Sequence, residues 1–246
     1  MTDMPAPRRT RRPFSTRAMP GFGVIAGAAF VILYAPITIL VIFSFNETAA
    51  MTEWGGFSFR WYREAWENER VQEATVRSLV VALAASFLAT LLATLAALGT
   101  TRTRAWRGQT AVFAMINQPL MVPEIVTGVA LLVFFAMIKE ATGITGLGYL
   151  IVAHTAFCIP FAYLPIRARL QSMDMTLERA AADLYAPPAQ VFRRVTLPLM
   201  APGILAGAML SFVISLDDVV ITEFVKSAGE DTLPTYMLGQ IRRGIT

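Results

Sequence analysis

The sequence predicts an all-α protein, a polytopic bundle of membrane-spanning helices. Three observations carry that prediction. Of 246 residues, 55% are hydrophobic and only 15% charged, with a mean hydropathy of +0.55, whereas a soluble domain carries about a quarter charged residues. Five apolar runs are each long enough to cross a hydrocarbon core of roughly 30 Å as a helix. Arginines gather in alternate connections between those runs, as the positive-inside rule requires. Helices are the form to expect, because lipid cannot satisfy free backbone N–H and C=O groups.

Taken in order, residues 1–20 are rich in Arg and Pro and include Arg8, Arg9, Arg11, Arg12 and Arg17. They are expected to form a disordered basic tail in the cytoplasm, with residues 21–246 forming the membrane domain. The run 22–45 is longer than the apolar core of a secretion signal and is the first predicted span. The following stretch, 46–75, has three Arg against six Glu, which places it outside. Its Trp54, Trp61, Tyr62 and Trp66 suit the membrane interface, on a helix lying along the surface. Runs 76–98, 111–138, 149–166 and 203–225 give the other four spans. Pro119 and Pro123 interrupt the third run and Pro160 and Pro165 the fourth. Such prolines are tolerated where neighbours satisfy the freed carbonyls. Arg102, Arg104 and Arg107 follow the second span, and Arg167, Arg169, Arg179, Arg193 and Arg194 follow the fourth. Both groups fall on the side of the tail, so the N-terminus is expected in the cytoplasm. Five spans would then leave residues 232–246 outside.

Several function classes are disfavoured. A single His154 and a single Cys158 supply neither a metal site nor a disulfide framework. The expected roles are a hydrogen-bonded packing residue for His154 and a small buried hydrophobe for Cys158. No phosphate-binding G-x-x-x-x-G-K-[ST] loop and no acyl-transfer triad is present, so the chain is not expected to be an enzyme by itself. The net charge of +4 is spread in short clusters between apolar runs, which does not suit nucleic acid. The triplet 46–48 matches a glycosylation pattern, a weak signal at that length.

Charged groups inside spans cost about 2.5–3.5 kcal/mol on insertion scales and usually face a bundle interior or a wet cavity. Four acids qualify: Glu124, Asp217, Asp218 and Glu223. Ser211, Ser215, Asp218 and Thr222 step by four, three and four, so one helix would present them on one face. Gly203 and Gly207 extend that face and would let another helix approach closely. Asn117, Met121, Glu124 and Gly128 likewise share a face of the third span. Asp217 lies about 100° round from Asp218. The predicted substrate pathway comprises Glu124, Asp217, Asp218, Ser215, Thr222 and Glu223. An acidic wall of this kind suits a flexible polycation, with Tyr34, Phe212 or Phe224 adding cation–π contacts. Structural roles stay open beside it: Asp217 or Asp218 as caps or ion-pair partners, and Glu223 in water at the outer interface.

The most informative stretch is the loop 171–201. A helix over 175–184 is predicted, with Asp174 or Thr176 capping its start. Pro187 and Pro188 begin a second short helix, which Pro198 and Pro202 are expected to end. The loop resembles the E-A-A-x-x-x-G loop, followed by a Leu-Pro pair, of ABC-importer permeases. The matching residues are Arg179, Ala180, Ala181, Ala182, Asp183, Leu184, Tyr185 and Ala186, then Leu197 and Pro198. The family's Glu falls on Arg179, with Glu178 beside it, and the family's Gly falls on Tyr185. Gly at that place adopts a left-handed C-cap conformation, so Tyr185 is expected to change the shape of the turn. The run 211–224 (SFVISLDDVVITEF), the run 120–128 (LMVPEIVTG), and Ala153-His154 and 167–170 around the fourth span are similar to the spermidine/putrescine permeases of this family.

The resemblance covers residues 22 to 246 and implies a type I permease domain. Its Glu178–Ala186 and Leu197-Pro198 loop would couple to a cytoplasmic ATPase dimer that carries ATP and Mg, so no cofactor is expected in this chain. A second permease subunit would complete the pore, and an extracytoplasmic solute-binding protein would deliver polyamine across the bacterial inner membrane. The family has a sixth span, which the sequence given does not contain. Other importer solutes, such as a phosphonate, ferric ion or opine-like amine, remain alternatives. So does a proton-coupled carrier using Glu124 and Asp218 as relays.

Overall fold

The computed structural model describes residues 21–49, 52–103 and 106–243. The tail 1–20 and Arg104 lie outside the described residues. Among the described residues, five helical stretches are long and apolar enough to cross a membrane, and no run of β-strand is present. The chain divides after Glu67 into two compact units.

The first unit holds α1 (Phe22–Phe43) and α2 (Arg60–Glu67). No residue of α1 is buried, as suits a helix whose solvent is hydrocarbon. The turn after it is organised by Asn46, which is 1% exposed. Its Nδ2 donates to Thr48 Oγ1 at 3.0 Å and Glu53 O at 2.8 Å, and its Oδ1 accepts from Gly55 N at 2.7 Å. A buried amide engaged in this way is not a glycosylation acceptor, so the triplet 46–48 is a structural turn. Trp61 Nε1 donates to the carbonyl of Asn46 at 2.8 Å, and Phe45 packs against Phe57, Phe59 and Tyr62. The aromatics of this stretch thus bind the loop to itself, with Trp66 left exposed.

The second unit is built on α3 (Glu69–Thr101), α6 (Leu147–Ser172) and α9 (Leu197–Asp217), which pack on one another. Asn68 caps α3 by accepting from Arg70 N and Val71 N, so this helix begins seven residues before the predicted run. The buried stripe of α3 is small: Ala82, Ala85, Ala89, Ala93 and Ala97. Small residues at three- and four-residue steps let helix backbones approach closely. Gly207 does the same on α9, since a Cβ there would lie 2.7 Å from the carbonyl oxygen of Ala162 on α6.

Two predicted spans are not continuous. The run 111–138 becomes α4 (Gln109–Met121) and α5 (Glu124–Thr142), separated at Val122, whose ψ is 134°. The cause is Pro123, whose ring drives the preceding residue into extended backbone. The run 203–225 becomes α9 and α10 (Val220–Val225), separated at Asp218 with ψ 132°. A third expectation also fails. Pro198 and Pro202 do not end the helix before the fifth span. The chain runs from α8 (Pro188–Val191) through a π turn (Phe192–Thr196) into α9. Leu197 N bonds to Phe192 O, one residue further back than in an α-helix. That wider turn accommodates the ring of Pro198, which has no N–H to donate back to the preceding turn. Within α6, Pro160 and Pro165 lie inside the continuous helix. Beyond α10, α11 (Leu233–Arg243) closes the described chain, and α7 (Thr176–Asp183) precedes α8.

Candidate functional site

Two places in the second unit gather chemistry. The first is the break between α9 and α10. Leaving the helix at Asp218 frees the first N–H groups of α10, and the Asp218 carboxylate takes them. Oδ1 accepts from Ile221 N at 3.3 Å and Oδ2 from Thr222 N at 2.8 Å. Thr222 Oγ1 also donates to Oδ2 at 2.8 Å. His154, from α6, lies behind this cap. Its Nε2 is 3.0 Å from Thr222 Oγ1 and 3.4 Å from Asp218 Oδ2, and its Nδ1 is 2.8 Å from Ser215 Oγ. Assigned from its partners, the ring donates from Nε2 to Thr222, and Nδ1 accepts from Ser215. His154, Ser215, Asp218 and Thr222 are all buried, and each polar side chain has a partner, which is what a buried polar network needs.

In front of the network lies a groove of about 420 Å3 lined by Glu124, Asp217 and Asp218 together with Phe157 and Phe161. Glu124 is the first residue of α5, and its side chain interacts with that of Asp218. A cation placed between two ionised carboxylates relieves their mutual repulsion. Asp217 is exposed at the groove wall. The Phe157 and Phe161 rings, 5.5 Å apart, are one helical turn apart on α6 and line the same groove. Carboxylates beside aromatic faces form a surface suited to ammonium groups.

The predicted pathway residues therefore separate into three sets. Glu124, Asp217 and Asp218 come together at the groove. Ser215 and Thr222 lie buried behind it as partners of His154. Glu223 stands elsewhere, in an ion pair with Lys226 at 2.6 Å, beside a different cavity of about 370 Å3. Lys226 also pairs with Asp231 at 2.7 Å. Ser215, Asp218 and Thr222 converge on His154 although no single helix carries them, while Ser211 Oγ donates to Cys158 O at 3.3 Å. The Asn117–Gly128 face does not survive, because the break at Val122 separates its halves and Asn117 Nδ2 turns back to Phe113 O at 2.7 Å. Gly128 instead receives the ring of Phe224, which a Cβ would meet at 2.7 Å. Phe224 is thus a packing residue, and Tyr34 stacks on Phe30 within the first unit. Sequence reasoning missed Phe157 and Phe161. Their signal was the spacing His154, Phe157, Phe161 on one face of the fourth span. His154 is hydrogen-bonded and 2% exposed. Cys158 is buried, with Sγ 3.5 Å from Ser211 O.

The second place is the loop between α6 and α9. Asp174 accepts from Thr176 N at 2.9 Å and caps α7, and that bond holds its carboxyl below the usual range. Glu178 faces inward: it accepts from Thr196 Oγ1 at 3.0 Å and pairs with Arg102 Nη2 at 3.4 Å. This ties α7 to the π turn and to the end of α3. Arg179, Ala180 and Asp183 are exposed, Ala181 and Ala186 are half-buried, and Leu197 and Pro198 are exposed where the π turn enters α9. Tyr185 has φ +60°. Ala186 N bonds to Ala181 O and Tyr185 N to Ala182 O, the two bonds of a Schellman turn. The expectation that Tyr185 changes this turn is therefore corrected. The left-handed turn forms, and the tyrosine adopts it. Leu184 and Tyr185 are 82% and 95% exposed.

A family model described as the binding-protein-dependent transport system inner membrane component matches residues 89–242. The putrescine transport system permease protein PotI of Escherichia coli (strain K12) is 38% identical over 225 residues, 90% of this chain and 80% of that one. The spermidine/putrescine transport system permease protein PotC of Haemophilus influenzae is 37% identical over 217 residues, 88% of this chain and 83% of its own. The PotC protein of Escherichia coli (strain K12) is 34% identical over 219 residues, 89% and 81% of the two chains.

Proposed function

The chain belongs to the family of binding-protein-dependent transport system inner membrane components, and from that premise we propose that it is a membrane-spanning subunit of an ATP-driven polyamine importer. The observation that carries the substrate class is the groove with three carboxylates and two phenylalanine rings. Its chemistry agrees with relatives named for putrescine and spermidine. Glu124 and Asp217 offer oxygens to the ammonium groups of a diamine. Asp218 contributes charge while it holds α10 in place, and Phe157 and Phe161 receive the methylene chain and the cation edge. Ser215 and Thr222 act through His154, keeping the Asp218 side of the groove in one arrangement.

In this proposal the chain lies in the bacterial inner membrane with its N-terminus and the 171–201 loop in the cytoplasm, where its arginines gather. A cytoplasmic ATPase dimer docks on that loop and carries ATP and Mg, so this chain holds no cofactor. The Glu178 bonds to Arg102 and Thr196 pass movement of the docked loop to α3 and α9. A second permease subunit supplies the facing wall of the pathway, and a solute-binding protein delivers polyamine from outside.

A second proposal draws on the His154–Asp218 network beside Glu124, which is the kind of chain a proton-coupled carrier uses. The experiment that separates them is uptake of labelled putrescine and spermidine in cells expressing the chain with its neighbouring genes. ATP-driven import predicts uptake that persists with an uncoupler while ATP is maintained, and that is lost in the Ala180→Asp/Ala181→Asp variant still present in the membrane. Uptake abolished by the uncoupler and indifferent to the loop variant supports the carrier. Absence of polyamine uptake by an assembled wild-type complex refutes the substrate class.

A further inference from the structure

Two arginines at one end of the second unit have buried donors with no acceptor among the described residues. Arg102 is the C-cap of α3, and Arg167 lies near the C-terminus of α6. The two helix ends are joined. Thr100 and Tyr163 share a hydroxyl hydrogen bond at 2.8 Å, and the Phe113 ring of α4 lies 6.1 Å from that of Tyr163. The Arg167 guanidinium sits over the Phe113 ring at 4.3 Å, which holds it between α4 and α6. Its Nε is buried and unbonded. Arg102 Nη1 donates to Met175 Sδ at 2.7 Å, a weak acceptor. Its Nη2 is 3.4 Å from a Glu178 oxygen that Thr196 already uses, and Nε and Nη2 are buried without a hydrogen bond.

The helices that carry these arginines have no acid to offer them. Between Glu73 and Glu124, and again between Glu140 and Asp174, the sequence contains neither Asp nor Glu. A guanidinium does not neutralise itself by losing a proton, so a buried one calls for an anion and not for water alone. The surroundings say which anion. α3 and α6 leave their apolar runs here, at the level where lipid phosphates lie. Trp106, 46% exposed, stands just before α4, as aromatics do at a membrane interface. From there the outer face of α4 runs on apolar, with Met115 and Met121 74% and 83% exposed. A head group at the arginines would thus have a surface for its acyl chains beside it.

We propose that Arg167, with Arg102, binds the phosphate of an anionic phospholipid, in the leaflet on the side of the 171–201 loop and with the acyl chains along α4. The phosphate oxygens supply the acceptors that the orphaned donors lack, in the forked geometry a guanidinium favours. Phe113 is a positioning residue, because its ring fixes the Arg167 guanidinium. The site requires only that the chain spans a membrane, and it stands apart from the choice of solute.

The test is thermal unfolding of the delipidated transporter in detergent, titrated with phosphatidylglycerol, with retained lipid counted by native mass spectrometry. The wild type is expected to melt higher as phosphatidylglycerol is added and to retain it. In Arg167→Gln the apparent lipid affinity falls about fivefold or more, the effect of one arginine at an anionic lipid surface. Phe113→Leu weakens it as well, although no charge is lost. Without added lipid, Arg167→Gln melts at or above the wild-type temperature, because it removes an unsatisfied buried donor, so a lost lipid response is not a lost fold. Arg107→Gln removes the same charge from an exposed arginine and keeps the wild-type response. An equal loss in Arg107→Gln reduces the effect to general surface charge and overturns the site. Stabilisation by inorganic phosphate that phosphatidylglycerol does not reproduce overturns the lipid in favour of a free anion. Identical lipid responses of wild type and Arg167→Gln, the result expected if a partner's carboxylate fills the site, overturn it too.

Discussion

The two helix breaks of the second unit reach the same backbone geometry by different chemistry. Val122, before α5, has ψ 134°, and Asp218, before α10, has ψ 132°. Each break puts an acid at the groove, Glu124 in one case and Asp218 in the other, and α10 packs on α5. At the first break a proline forbids the helix, and no side chain caps the new start. At the second the helix is free to continue, and a buried carboxylate holds it open by taking the N–H groups of Ile221 and Thr222. A proline break is local and robust. A carboxylate break depends on a network reaching to another helix through His154.

Substitutions can break or sharpen this contrast. The largest effect is expected at Asp218→Ala, which strips the cap and leaves Ile221 N and the two Thr222 donors without their acceptor. Thermal unfolding in detergent should show a loss of about 2–4 kcal/mol, and uptake should vanish with it. Next is Thr222→Val, which keeps the cap to the backbone but removes the hydroxyl joining His154 to Asp218. A loss of about 1–2 kcal/mol is expected, and a neutral result would mean that the network does not hold the break. The smallest is Pro123→Ala. It relieves the constraint on Val122 and should cost under about 1 kcal/mol of stability, mainly through the unfolded chain. Uptake should still fall, because Glu124 moves. Unaltered uptake in Pro123→Ala would show that the first break has no part in transport.

This contrast also explains what was legible in the sequence. Apolar runs located the spans, since burial in lipid leaves a long compositional trace, and Pro123 marked where a break was possible. The break at Asp218 left no such trace. Valines and isoleucines surround it, and only the meeting with His154, 61 to 68 residues away along the chain from Ser215 and Thr222, makes it a cap. The acids of the groove were found because charge in a span is conspicuous. Glu223 lies apart from that groove, paired with Lys226; a hydropathy run cannot show which way a side chain leaves a short helix. Phe157 and Phe161 went unnoticed because an aromatic in an apolar span looks like packing until a carboxylate is seen opposite. At Tyr185 propensity predicted a distorted turn, and the tertiary bonds of Glu178 and the Schellman pair outweighed it.

The central claim is that the groove between the two breaks binds ammonium groups. The most direct test is concentration-dependent uptake of labelled putrescine into proteoliposomes holding the complete transporter, with wild type compared to Glu124→Gln/Asp217→Asn. These substitutions keep shape and leave the Asp218 cap untouched. The account predicts uptake lowered about tenfold or more, the worth of roughly 1.4 kcal/mol from a lost charge-assisted bond, with assembly and melting temperature unchanged. Uptake equal to wild type across the concentration range would contradict it.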